Sequence, residues 1–306
     1  MTLDEKLAAI LAAVQTDPGN RGLARDPDDN LFTATAGDFG SACSGLSQPE
    51  SSLDIVTGFF VSTGKPPAFE TDGPLGAAFL LRAFPSLGKQ AGATNLLEPC
   101  ANAILAGLRI GGANRSHVRH DPSDTPLRSI VQTGRRWPGS EATHILAIEF
   151  SGPAAEGRHY SMRGRDITAE NAHLERWTLA SAGTMTIGIG DGGNEIGMGK
   201  IAHETIVKNI PNGDLIHCQV PTDHLIVAGV SNWGAYALAA GLFVLLNRKP
   251  PPDLFDPDRE LAILEAMVRE GPLVDGVTGR QTATVDGLTW EEYILPFNRI
   301  REILES

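Results

Sequence analysis

LDIVTGFFV, residues 53 to 61, is an almost unbroken apolar run, and together with the polar loop and apolar helix after it this run constrains the fold more than any other feature of the chain. A strand apolar on both faces has to be covered on both, as in a parallel sheet flanked by helices. The run passes through STGKPPAFETDGP into LGAAFLLRAF, an apolar helical stretch over 75–84. Strand, polar loop and helix in that order predict that Glu70, Thr71 and Asp72 lie at the carboxyl edge of a sheet, where open α/β folds bind ligands.

The same grammar recurs. THILAIEF (143–150), TMTIGIG (184–190), LIHCQV (215–220) and HLIVAGV (224–230) read as strands, and ATNLLEPCANAILAGL (93–108) as a weaker strand followed by a helix. TLDEKLAAILAAV (2–14) carries an apolar helical stripe, a short helix is predicted over 30–36, and IAHETIVKNI (201–210) reads as a helix. WGAYALAAGLFVLL (233–246) is the most apolar helix, with Asn232 its expected N-cap. ELAILEAMVRE (260–270) and a final pair interrupted at Pro296 close the chain. The pattern predicts one α/β domain over 1–306: a Rossmann-like, open, mostly parallel sheet with helices on both faces. A divergent polar, glycine-rich insertion occupies 110–141.

Composition narrows the function. A net charge of −12 disfavours a nucleic-acid surface, because phosphate binding wants clustered cations. Three widely spaced cysteines form no CxxC pair, the first 20 residues lack a basic stretch followed by an apolar one, and no run of about 18 uncharged apolar residues occurs. These features predict a cytoplasmic protein without a membrane segment. A homodimer is the default expectation from the prevalence of closed pairs, with helix 234–246 as readily core as interface.

GIGDGGNEIGMGK, residues 188–200, packs six glycines around Asp191 and Glu195. Residues 188–193 formally spell GxGxxG, but Asp191 inside the turn would repel a pyrophosphate, and Lys200 is followed by Ile201 rather than Ser or Thr. No nucleotide is expected. The loop reads instead as a grip for a small polar ligand or a metal: turns at Gly192 and Gly193 expose amides, while Asp191, Asn194 and Glu195 offer oxygens. The alternative is a compact acidic turn with Asp191 capping the next helix. HxxH at His117 and His120 reads as surface. No G-x-S-x-G surrounds Ser161, Ser181 or Ser231, so covalent serine chemistry is disfavoured.

Four motifs in order, ETDGPLGA (70–77), YSMRGRDIT (160–168), GIGDGGNEIGMGK (188–200) and VSNWGAYAL (230–238), resemble the C-terminal catalytic domain of the D-glutamate cyclase family, with RGL (21–23) and VDGVTG (274–279) as weaker support. The resemblance implies a hydro-lyase that converts D-glutamate to 5-oxo-D-proline and water, in either net direction. On that reading Asp72, Asp191 and Glu195 are the candidates for proton transfer, with Asp191 as base and Glu195 as proton donor or metal ligand, or the reverse. Arg163 is the preferred clamp for the α-carboxylate, with Arg165 and Lys200 as alternatives. Gly73 amides at a helix N-terminus stabilise negative oxygen, and Thr71 and Asn194 orient substrate or water. Ser231, Asn232 and Trp233 close the pocket or cap and pack. Glu70, Asp72 and Asp191 are candidate ligands for Mn2+ or Mg2+. The rival readings are an enzyme acting on a related amino acid or lactam, and a non-enzymatic sensor of D-glutamate or 5-oxoproline.

Overall fold

The computed structural model describes residues 1–95, 98–113, 118–120, 142–171 and 183–306. Its strands are β1 Ser52–Thr57, β2 Phe60–Val61, β3 Ala68–Phe69, β4 Gln90–Asn95, β5 Val118–His120, β6 His144–Ile148, β7 Met185–Gly190 and β8 His224–Val227. The helices are α1 Leu3–Val14, α2 Leu31–Ala34, α3 Asp38–Ser47, α4 Pro74–Ser86, α5 Glu98–Gly111, α6 Thr168–Asn171, α7 His203–Asn209, α8 Gly213–Ile216, α9 Ser231–Leu245, α10 Pro257–Glu270, α11 Trp290–Tyr293 and α12 Leu295–Glu305.

Six strands form one parallel sheet in the order β5-β4-β1-β6-β7-β8, while β2 and β3 pair as a separate antiparallel hairpin. Counting only the sheet strands, the order is 3-2-1-4-5-6, the Rossmann arrangement, and its direction of winding reverses between β1 and β6. The crevice outside the carboxyl ends of these two strands is therefore where a ligand is expected.

Alternation along the strands splits the core in two. Ile55, Leu146, Ile148, Ile187 and Ile189 face a large cluster built with α1, α3, α4, α5, α9, α10 and α12, whereas Val56, Ala147, Leu225 and Val227 face a smaller one with Leu23, Ile196, Ile206 and Ile216. The apolar helix α9 is core rather than surface: its residues from Ser231 to Phe243 are buried.

Several expectations need correction. The run 53–61 is two strands, because Gly58 at φ +123 turns the chain between β1 and β2. LIHCQV is not a strand: residues 213–216 form α8 and the chain then runs without regular structure past Cys218, where the Cys218 amide donates to the Gly193 carbonyl. Pro296 does not interrupt a helix but sits in the first turn of α12, where its missing N–H costs nothing. Most of the predicted insertion at 110–141, including His117, lies outside the described residues.

Candidate active site

Four loops leave the carboxyl edge of the sheet and meet there. The segment between β3 and α4 delivers Glu70 to Gly73, the end of β6 delivers Glu149, the loop after β7 delivers Asp191 to Glu195, and the segment after β8 opens α9 at Ser231.

Asp72 and Asn232 exchange helix caps. Asp72 Oδ2 accepts from the Ser231 amide (2.8 Å) and Oδ1 from the Asn232 amide (2.7 Å), satisfying two N–H groups at the start of α9. In return, Asn232 Oδ1 accepts from the amides of Gly73 (2.9 Å) and Gly76 (2.7 Å) at the start of α4. Asn232 therefore caps α4 rather than its own helix, correcting the sequence expectation. Gly73, at φ +90, has no room for a Cβ, which would stand 2.4 Å from Thr57 Oγ1. Its amide is already committed to Asp72 and Asn232.

In the glycine loop, Glu195 folds back on its own backbone: Oε1 accepts from the Asp191 amide (3.2 Å) and Oε2 from the Gly193 amide (2.8 Å). Of the turn expected to expose amides to a ligand, the Gly193 amide is thus held by Glu195. Nor does Asp191 cap the next helix, since α7 begins twelve residues later with no side-chain cap. Asp191 instead faces a guanidinium to which the sequence pattern assigns no role. Arg21 Nη1 stands 2.6 Å from Asp191 Oδ2, and Arg21 Nη2 stands 2.8 Å from Asp286 Oδ2.

Glu149, the first residue beyond β6, has φ +43, a left-handed conformation that costs about 1–3 kcal/mol in a residue other than glycine. Its amide continues the β6–β7 ladder to the Ile189 carbonyl, and its Oε2 accepts from the Ser231 hydroxyl (2.7 Å). The cap, the ladder and the hydroxyl together hold a buried carboxyl at the point where the sheet order reverses.

The acids crowd one another out of water. Burial raises Glu149 well above the ordinary carboxyl range, and Asp191, Glu195, Glu70 and Asp72 raise it further. Burial likewise lifts Glu70, with Asp286 and Asp72 adding to the effect. Asp191 is raised by burial and pulled back by Arg21. Asp72 reaches about 7, again through burial, with Asp286 raising it and the α9 amides lowering it. Burial raises Glu195 as well, against the loop amides that favour its charged form. Two acidic groupings have oxygens within 4.8 Å of one another, Asp72–Asp191–Asp286 and Glu149–Asp191–Glu195, and either offers the oxygen donors of a divalent cation site.

A cavity of about 210 Å³ opens onto this centre. Glu70, Glu149, Asp191, Asp286 and Arg21 line it on the polar side, together with Asn194 and the two guanidinium residues Arg163 and Arg165; Phe59, Phe60, Met162 and Val277 are among its apolar walls.

Of the residues singled out from sequence, Asp191, Glu70, Asn194, Arg163 and Arg165 line the cavity. Asp72, Glu195, Ser231, Asn232, Gly73, Gly192 and Gly193 stand behind it as its framework. Thr71 is tied to the Thr284 carbonyl (2.8 Å) and Trp233 is a core residue donating to the Tyr293 carbonyl (3.0 Å). Lys200 is not brought to the site: its ammonium lies 2.6 Å from Asp38 Oδ2 and 2.6 Å from the Asp223 carbonyl. Sequence reasoning missed Glu149, whose signal was an acid closing an apolar strand, and Arg21, noted only as part of RGL. Asp286 carried no signal.

The sequence matches the family model described as D-glutamate cyclase-like, C-terminal, over residues 10–301. It is also 31% identical over 268 residues to the human protein named D-glutamate cyclase, mitochondrial, an alignment covering 81% of this chain and 40% of the relative. The chain thus spans well under half the length of the curated relative it matches. The expectation of a cytoplasmic protein is overturned by that relative, which is a mitochondrial protein. No described helix is long and apolar enough to cross a membrane.

Proposed function

The chain belongs to the D-glutamate cyclase-like family, and from that premise we propose that it catalyses the dehydrative ring closure of D-glutamate to 5-oxo-D-proline. The observation that carries the reading is the cavity itself, in which guanidinium groups able to hold a dicarboxylate stand with carboxyls that burial raises well above the ordinary carboxyl range.

In this reaction the amine nitrogen bonds to the side-chain carboxyl carbon and a C–O bond breaks. The ammonium gives up two protons and the departing oxygen gains two, leaving as water, so no co-reactant is needed. One carboxyl group has to accept while another donates, and each works best with a pKa near the working pH. Asp191, held beside Arg21, suits the accepting role. Glu149, raised well above the ordinary carboxyl range by burial and by its acidic neighbours, suits the donating role. Glu195 acts as a positioning residue, fixing the loop that presents Asp191. Arg163 and Arg165 are placed for the substrate α-carboxylate, for which the planar guanidinium gives a bidentate match.

The donor chemistry fits a divalent cation: the atoms are carboxylate oxygens, as Mg2+ and Mn2+ prefer, and buried acids outnumber the guanidinium among them. Glu149, Asp191 and Glu195 would hold it. Such an ion, when bound, supplies Lewis-acid polarisation of the reacting carboxyl.

The test is to incubate metal-stripped protein, with and without added Mn2+ or Mg2+, with D-glutamate and separately with L-glutamate, following 5-oxoproline by chiral chromatography. Product from the D form alone, lost in Asp191→Asn, is the expected result. Folded protein with no turnover under any metal condition would count against the cyclase reading, and saturable binding of D-glutamate without turnover would favour a sensor.

A further inference from the structure

Arg21 reaches the acidic centre from a loop that precedes every strand of the sheet, and that loop is built to deliver it. Asp17 Oδ1 accepts from the Arg21 amide (2.8 Å), while Asp17 Oδ2 accepts from the amides of Gly22 (2.7 Å) and Leu23 (3.1 Å). Gly22 has φ +95, and a Cβ there would stand 2.2 Å from the Asn209 carbonyl oxygen, so the turn packs directly on the end of α7. The side chain then crosses the carboxyl edge, donates from Nη1 to the Gly229 carbonyl (3.3 Å) and ends between Asp191 and Asp286. Asp286 is presented equally deliberately. It has φ +57, and the next residue, Gly287, donates its amide to Asp275 Oδ2 (2.8 Å).

The two Arg21 contacts fall within the grouping Asp72–Asp191–Asp286, so a cation of the protein's own already stands against two of its three acids. Glu70, Asp72, Glu149 and Glu195 also lie within the reach of its charge. A guanidinium suits this seat better than an ammonium, because its two terminal nitrogens stand 2.6 and 2.8 Å from two different carboxylates at once.

We propose that Arg21 is the built-in counter-ion of the acidic centre, a positioning residue whose fork fixes the Asp191 and Asp286 carboxylates at the cavity wall. It follows that the Asp72–Asp191–Asp286 grouping is filled by the protein itself, and that a divalent cation, when bound, takes the Glu149–Asp191–Glu195 grouping. The catalytic part of this assignment rests on the cyclase reading; the counter-ion part does not.

Both parts are tested by Arg21→Ala and Arg21→Lys, with guanidinium ion added back. Misplacing a reacting group by about 1 Å costs on the order of 100-fold in rate, so Arg21→Ala is expected to lose about that much of kcat with KM changed far less. Added guanidinium should restore part of the loss saturably, and Arg21→Lys should fall between. Independently of turnover, guanidinium should raise the melting temperature of Arg21→Ala at concentrations that leave the wild type unchanged, as a ligand bound by the folded state does. If Arg21→Ala does not fold, Arg21→Ala with Asp286→Asn removes one of the charges left uncompensated and is expected to recover folding; failure to recover would refute the pairing. A wild type that makes no 5-oxo-D-proline sinks the cyclase reading and leaves the melting-temperature arm to decide on Arg21. A wild type that turns over, beside an Arg21→Ala variant with unchanged turnover and no guanidinium effect on either measurement, overturns the assignment.

Discussion

Among the described residues, two clusters of buried charge differ in their balance. Between α4, α9, α10 and α11, Arg82 Nη1 donates to Glu260 Oε2 (2.7 Å), Tyr236 donates its hydroxyl to Glu260 Oε1 (3.0 Å), and the Tyr236 and Tyr293 hydroxyls lie 2.8 Å apart. One cation meets one anion, and both Glu260 oxygens have donors. At the carboxyl edge of the sheet, by contrast, a single guanidinium acts on six carboxyls: Glu70, Asp72, Glu149, Asp191, Glu195 and Asp286. There Asp191 Oδ2 and Asp286 Oδ2 touch Arg21 without hydrogen-bond alignment, and the buried Asn194 Oδ1 has no donor among the described residues. Burying charge therefore does not by itself mark chemistry in this fold. Uncompensated charge beside a cavity is what the proposed chemistry requires, because such groups are poised to change protonation or take up a ligand.

The sharpest way to break this contrast is to remove one acid from each group. Asp191→Asn is expected to lower turnover of D-glutamate by about 10²–10⁴-fold, the range for losing a general acid or base, while its melting temperature holds or rises because a crowded charge is gone. Steady-state kinetics and calorimetry on one preparation check both halves. Glu260→Ala should do the reverse. Leaving Arg82 buried without its partner costs about 3–5 kcal/mol, read as a lower denaturant midpoint, whereas the folded fraction keeps its kcat.

The imbalance also predicts a pH dependence with a definite sign. The folded-state pKa of Asp72 rises from 3.8 to about 7, and Glu70, Glu149 and Asp191 are raised as well. Between the unfolded and folded values the native protein holds more protons than the unfolded chain. The stability these groups contribute is therefore complete below the unfolded pKa and is lost as pH rises through the folded one. The melting temperature of metal-stripped protein should accordingly climb as pH falls from about 8 to about 5, and a flat or falling profile would show that the acids are compensated after all.

Smaller effects mark the edges. Arg163→Ala should raise KM for D-glutamate by about tenfold, the equivalent of about 1.4 kcal/mol, with kcat nearly kept; an equal fall in kcat would move Arg163 into the chemistry. Lys200→Ala, which removes a contact to Asp38 outside the cavity, should shift stability by no more than about 0.5 kcal/mol and leave D-glutamate kinetics unchanged.

The periodic elements were legible in the chain because their cause is local. The apolar runs read as strands at 53–61, 143–150, 184–190 and 224–230 contain the parallel strands β1, β6, β7 and β8, the first of them only to Thr57, and the strand–loop–helix rhythm pointed to the sheet edge at which Asp191 and Glu70 lie. LIHCQV misled because its apolar residues serve packing around α8 rather than a strand.

What sequence reading could not assign were partnerships across distance. Asp72 looked catalytic by type and place, but its oxygens are largely taken up by α9 amides more than 150 residues away. Asn232 looked like a cap for its own helix and caps another. Arg21, Glu149, Asp191 and Asp286 become one site only when four separate segments converge on the crevice where the sheet order reverses. Hydrophobic periodicity sets which elements form, because each residue's burial depends on its neighbours along the chain. Which charges face one another depends on how the packed elements bring distant loops together, and that is decided only by the tertiary structure.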